Sequence, residues 1–125
     1  LLALAIFLPG LIRRLRQKPM LEVSDLKIRL ESGERPLILD VRSPEEFVGK
    51  QGHIDQSLNI PLDLLEDRID ELTPFMGKPV AIVCCTHVRS AKAARLLTAH
   101  GFTDLSVVRN GMTAWISAKF SVVRD

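Results

Sequence analysis

The chain predicts an α/β domain: a central parallel sheet in three layers, with helices on both faces. Short apolar runs at Leu37 to Leu39, Val80 to Val83 and Leu105 to Val108 are bounded by Gly, Pro and polar residues, as buried parallel strands are. Stretches with apolar residues at helical spacing alternate with these runs, which supplies the crossovers a parallel sheet requires. A chain of 125 residues, 46% hydrophobic and 26% charged, has the composition of an ordinary globular domain.

The first 19 residues stand apart. Leu1 to Ile12 is apolar, and Arg13, Arg14, Arg16 and Lys18 follow at once. A secretory signal places its charge before the apolar region, so this order argues against one. Twelve residues interrupted by Pro9-Gly10 are also fewer than the ~20 that cross a bilayer. Because the chain opens at Leu, the segment is expected to be the end of a membrane anchor, with the basic cluster holding the domain on the cytoplasmic side. The other reading is an interfacial or core-capping amphipathic segment. Four of the 17 Lys and Arg lie in this segment with no acid, so 13 remain against 15 Asp and Glu, a net of −2. The mild basic character thus belongs to the segment, and nothing in the charge pattern points to nucleic acid. The two cysteines are adjacent and form no disulfide framework, which favours a reducing compartment.

Residues 20–125 form the expected domain. Met20 to Val23 reads as a short strand, and Ser24 as the N-cap of a helix over Asp25 to Glu31 that ends at Ser32-Gly33. Arg35 to Arg42 is a buried strand with polar residues at its C-terminal end, where open α/β sheets gather ligands. Ser43-Pro44-Glu45-Glu46 is a capped helix start with Pro at the first helical position. Leu62, Leu65, Ile69 and Leu72 predict one amphipathic helix over Pro61 to Leu72 with a solvated acidic face. Beyond Val80 to Val83, Ala93, Leu96, Leu97 and His100 predict a helix opened by Ser90 and stopped by Gly101. The strand Leu105 to Val108, a turn at Arg109-Asn110-Gly111 and a helix over Met112 to Lys119 carrying a core Trp115 complete the order.

The chain is organised around Val80 to Ser90, where the apolar strand runs into Cys84, a polar loop and an Ala-rich helix. The first turn of a helix leaves backbone N–H groups without partners and carries the positive end of the macrodipole. A thiol placed there beside a cation, here Arg89, favours its nucleophilic thiolate form.

Strand, Cys84, four residues, Arg89-Ser90 and an Ala-rich helix resemble the active-site loop of the rhodanese (sulfurtransferase) family. Asp40-Val41-Arg42-Ser43-Pro44-Glu45-Glu46-Phe47, Gly52-His53-Ile54 and Asn59-Ile60-Pro61 resemble the family's N-terminal signature. Asn110-Gly111 with Trp115 resembles its closing Gly-Gly-x-x-x-Trp pattern. The resemblance covers nearly all of residues 20 to 120 and implies a rhodanese-like fold. Related phosphatases and arsenate reductases carry Cys-x5-Arg, so the Cys-x4-Arg here resembles the sulfur-transferring members. Three departures stand out: His87 where the family often has Gly, Asp55-Gln56-Ser57 in place of Pro-Gly-Ala, and Asn110 in the first Gly position.

The resemblance implies that Cys84 attacks the outer sulfur of a donor such as thiosulfate, becomes a persulfide, and passes that sulfur to a thiol or cyanide. Cys85, Thr86, His87, Val88 and Arg89 are the expected anion-binding loop, and Cys85 itself reads as a bystander to the chemistry. Asp40, Arg42 and Glu46 read as an ion-paired support, and His53 as a loop histidine bonded to backbone. No Gly-rich fingerprint follows a strand and no His/Cys spacing fits zinc, so no cofactor or metal is expected. The expected partners are a small sulfur-donor anion and a thiol or protein acceptor. The rival reading is a non-catalytic interaction module in which His87 obstructs the pocket.

Overall fold

The computed structural model describes residues 19–125. The expected anchor segment therefore lies, but for Pro19, outside the described residues. Among the described ones no helix is long and apolar enough to cross a membrane.

The elements are β1 (Met20–Leu21), α1 (Val23–Ser32), β2 (Leu37–Asp40), α2 (Pro44–Phe47), β3 (Leu58–Asn59), α3 (Leu62–Leu65), a 3₁₀ segment (Ile69–Phe75), β4 (Val80–Val83), α4 (Val88–Ala99), β5 (Leu105–Val108) and α5 (Gly111–Ser117). All strands pair in parallel, in the order β1-β5-β4-β2-β3. The chain leaves β2 outward to β3 and leaves β4 the other way to β5. The crevice beyond the C-terminal ends of β2 and β4 is thus the point where the winding reverses, the usual ligand position in such sheets.

Alternation along the strands sorts the core into two layers. Val80, Ile82 and Cys84 share one apolar cluster with Ala93, Ala94 and Leu97 of α4 and with Leu65 of α3. Ala81 and Val83 face the other way, against Leu26 of α1 and Met112 and Trp115 of α5. Each fully buried Leu or Val contributes roughly 1.5–3 kcal/mol relative to exposure. Central β4 is buried on both faces along its whole length.

The local expectations differ from the structure in three places. Helix α1 starts at Val23 with Glu22 at the cap, and Ser24 lies inside the first turn. The Glu22 carboxylate caps no amide because Arg109 engages it at 2.6 Å. The single helix expected over Pro61 to Leu72 is broken: the Arg68 amide is shared between Leu64 and Leu65 carbonyls at 3.1 and 3.2 Å, and the chain continues as 3₁₀. With three residues per turn, Ile69 and Leu72 stack on one face, and both pack on the core. In α4 the buried stripe is Ser90, Ala93, Ala94 and Leu97, while His100 is the exposed C-cap.

Candidate functional site

Cys84 follows β4 at the switch point. It continues the face of Val80 and Ile82, so its side chain packs toward α4 and is buried. Cys85 takes the next position in the alternation and leaves the core half-buried. Adjacent residues on an extended chain project to opposite sides, and the two sulfurs are accordingly free thiols in different surroundings.

The loop from Cys84 to His87 is held from behind by α5. The amides of Met112 and Thr113 donate to the carbonyls of Cys84 (2.9 Å) and Cys85 (3.1 Å). This approach requires Gly111: a Cβ there would overlap the Cys84 carbonyl oxygen and lie 2.8 Å from that of Thr86. Asn110, in the left-handed region at φ 56°, aims the chain into the helix. With the loop carbonyls drawn back, the N–H groups of Cys85, Thr86 and His87 have no protein acceptor among the described residues. Those of Val88 and Arg89 open the 12-residue α4, where no preceding turn can accept them. The result is a set of successive amides at a helix N-terminus, an arrangement that holds anions.

The Arg89 guanidinium is spoken for. It clasps the Glu46 carboxylate in two bonds, Nη1 to Oε1 at 2.6 Å and Nη2 to Oε2 at 3.0 Å. Glu46 is the third helical residue of α2, and a capping box fixes it: its amide donates to Ser43 Oγ, and its Oε1 accepts from the Ser43 amide at 3.0 Å. Cys85 Sγ completes the cluster, 3.1 Å from Glu46 Oε2 and 3.3 Å from Arg89 Nη2. The Arg89 hydrogen bonds hold the Glu46 carboxyl well below the usual carboxylate range, against the opposing effect of burial. Glu46 in turn raises the Arg89 pKa. Burial first, and then the bond to Glu46, push the Cys85 thiol up. Arg89 was expected as a free cation beside Cys84; it is instead the neutralised half of an ion pair.

The support expected of Asp40, Arg42 and Glu46 divides in two. Arg42 is fully buried and bonds Asp40 through Nε and Nη2, the latter at 2.8 Å. Its remaining donors reach the carbonyls of Gly52 (2.7 Å) and Glu46 (3.3 Å), so this guanidinium ties the segment after α2 to the sheet. Glu46 belongs to the other pair. His53 is buried, stacked on Phe47 at 3.5 Å, with Nδ1 2.7 Å from the Phe47 carbonyl. His87 is exposed at a negative φ of −153°, so its Cβ brings no backbone strain, and it does not line the neighbouring cavity.

That cavity, of about 320 Å³, sits at the switch point and is lined by Val41, Ser43, Pro61, Leu62, Asp63 and Arg89. Val41 belongs to the same buried apolar cluster as Cys84, and the partly buried Leu62 packs against that cluster. Sequence reasoning missed the backing amides of Met112 and Thr113 and the contact demanded of Gly111; the Asn-Gly before the last helix was their signal. It also missed Ser90, whose hydroxyl is buried without a hydrogen-bond partner among the described residues.

The profile of the Rhodanese-like domain family matches residues 22–118. The chain belongs to this family. Its rhodanese-like domain is 30% identical over 95 residues to a protein named sulfurtransferase from Allochromatium vinosum, covering 76% of this chain and 85% of that one. It is 40% identical over 78 residues to the uncharacterized protein YqhL of Bacillus subtilis, covering 62% of this chain and 59% of that one. Among solved structures, a rhodanese-related protein from Thermoplasma volcanium superposes with a TM-score of 0.74 at 29% identity, covering 86% of this chain and 99% of that one. The parallel five-stranded sheet is that of the rhodanese-like α/β fold. The chain spans less than two thirds of the length of the first curated relatives it matches.

Proposed function

We propose that this rhodanese-like domain is a sulfurtransferase that carries a sulfane sulfur on Cys84 as a persulfide. The observation that carries the reading is the position of Cys84: at the end of central β4, before a run of amides from Cys85 to Arg89 that no protein group occupies among the described residues. Such amides stabilise negative charge on a thiolate and on the persulfide that replaces it.

The chemistry is double displacement. The Cys84 thiolate attacks the outer sulfur of the donor, forming an S–S bond as the donor's own bond to that sulfur breaks and the leaving group departs with the electron pair. With thiosulfate the products are the Cys84 persulfide anion and sulfite. A nucleophilic acceptor then takes the outer sulfur and returns the thiolate; cyanide leaves as thiocyanate, and a thiol leaves as its own persulfide. Cys85, its proton directed at Glu46, takes no part in the transfer. The thiosulfate donor and cyanide or thiol acceptor come from the family resemblance. The cytoplasmic, membrane-anchored placement comes only from the order of apolar and basic residues before Met20, and fractionation of cells making the full reading frame tests it.

The function is tested by incubating the protein with concentrated thiosulfate or a low-molecular-weight persulfide, followed by intact-mass measurement and peptide mapping. One added sulfur is expected on Cys84. Cys84→Ser is expected to abolish transfer to cyanide, while Cys85→Ser keeps most of it. Sulfur on Cys85, or on neither cysteine, overturns the proposal and leaves an interaction module.

A further inference from the structure

We propose that the rhodanese-like domain carries a second binding site, for a small organic acid with an apolar body such as a medium-chain acyl carboxylate, in the cleft between the end of α5 and the C-terminal segment. The cleft has a volume of about 510 Å³, within the range of small-molecule sites, and no residue from Cys84 to Arg89 lines it. Its apolar wall is Ile116, Phe120 and Val122. Phe120 and Val122 pack half-buried against the core, while Ile116 is 38% exposed, the large apolar side chain of α5 that the core leaves uncovered. Its cations are Lys50, Lys119 and Arg124, and no carboxylate shares the lining. None of the three is in an ion pair among the described residues. Glu45 and Glu46 border a neighbouring hollow that shares Lys50, and Glu46 is held there by Arg89.

The walls are held before any ligand arrives. His53 and Val123 exchange backbone hydrogen bonds at 2.8 and 2.9 Å, which pins the C-terminal segment to the chain after α2. The Arg124 guanidinium donates through Nε and Nη2 to the Lys50 carbonyl at 3.0 and 2.7 Å, so its charge is fixed in place without being neutralised. Lys119 takes the left-handed position after α5 at φ 62°, where glycine is usual, and the Phe120 amide returns to the Trp115 carbonyl at 3.3 Å. The chain thus keeps a cation at the cleft against a conformational cost. Apolar surface beside uncompensated cations fits an amphiphilic anion. The polar inventory favours an acyl chain over a peptide, because Gln51 supplies the one uncharged hydrogen-bonding side chain of the lining. The backbone N–H and C=O groups of a peptide would lose water there with little in return, and an acyl chain has none to lose.

The test titrates the full chain with octanoate and with uncharged 1-octanol. Trp115, the single tryptophan, packs edge-on against Phe120 with ring centroids 4.9 Å apart, so a chain laid on Phe120 changes its emission. Methyl NMR of Ile116 and Val122 places the ligand. Octanoate is expected to saturate one site with a Kd of about 1 mM or below, about tenfold tighter than 1-octanol. Lys50→Gln and Lys119→Gly are each expected to weaken octanoate about fivefold and to leave 1-octanol unchanged. Glycine also suits the left-handed position of Lys119, so the Tm of that variant is expected not to fall, and its lost affinity is not lost folding. No saturation by octanoate, equal affinity for 1-octanol, methyl shifts elsewhere, or full affinity in both lysine variants overturns the inference. Tighter binding of a short peptide of alternating glutamate and leucine assigns the cleft to a protein partner and overturns it too. Sulfur loading of Cys84 does not enter the test, so the sulfurtransferase reading stands or falls separately.

Discussion

Replacing Gly111 by alanine tests how the loop that follows Cys84 is held. The residue has φ +38°, where a Cβ costs about 1–2 kcal/mol by itself. The added carbon would also overlap the Cys84 carbonyl oxygen and press on that of Thr86 at 2.8 Å, both of them backbone atoms that no rotamer change can move aside. Overpacking of this kind costs about 1–3 kcal/mol more. The sum, about 2–5 kcal/mol, corresponds to a fall in Tm of roughly 10 °C or more for a domain of this size. The displacement falls on the carbonyls that accept from Met112 and Thr113, so the loop amides are expected to lose their alignment and Cys84 its sulfur loading. Gly33→Ala is the control. Gly33 has φ +88° with nothing within 4 Å of the added carbon, so it carries the conformational cost without the clash. Thermal unfolding of both variants, with mass measurement of sulfur uptake, decides. Equal losses in the two, or full sulfur uptake by Gly111→Ala, would refute the argument that loop and helix backbones meet there.

Asp40→Ala leaves the fully buried Arg42 without its carboxylate and is expected to cost about 3–5 kcal/mol in denaturant unfolding. Ser90→Ala removes a buried hydroxyl that has no partner, and is expected to stabilise the fold by about 1 kcal/mol. The Glu46 pKa is depressed in the folded state, so the carboxylate's contribution is whole above its ordinary value of 4.5 and is lost as pH falls toward the folded value. Stability measured from neutral pH downward should stay level to about pH 4.5 and decline below it, and Glu46→Gln should remove that part of the decline. Because burial and Glu46 raise the Cys85 pKa, Cys85 should react with iodoacetamide at neutral pH more slowly than a small free thiol. Glu46→Gln should speed that reaction.

The sequence by itself determined the fold class, because the apolar runs of β2, β4 and β5 and the stretches between them are local patterns that only an alternating α/β sheet satisfies. It also determined that Cys84 lies at a strand end before a helix, since both elements are contiguous with it. The two-residue β3 was not legible, as Leu58-Asn59 carries no periodicity and is a strand only because β2 lies beside it. The break between α3 and the 3₁₀ segment was hidden too, because spacing of three and four residues fits either helix until the core selects the turn.

At the site, the residue types could be read and their partners could not. Glu46 and Arg89 are 43 residues apart, and nothing local distinguishes a carboxylate that pairs with Arg42 from one that reaches across the sheet edge. Only the parallel register of β2 on β4 brings the ends of those strands together, and with them α2 and the start of α4. That register turns Arg89 from a free cation into a neutralised one. The net charge beside the Cys84 loop is therefore a property of the tertiary structure, because it depends on which opposite charge lies within three ångströms of the guanidinium.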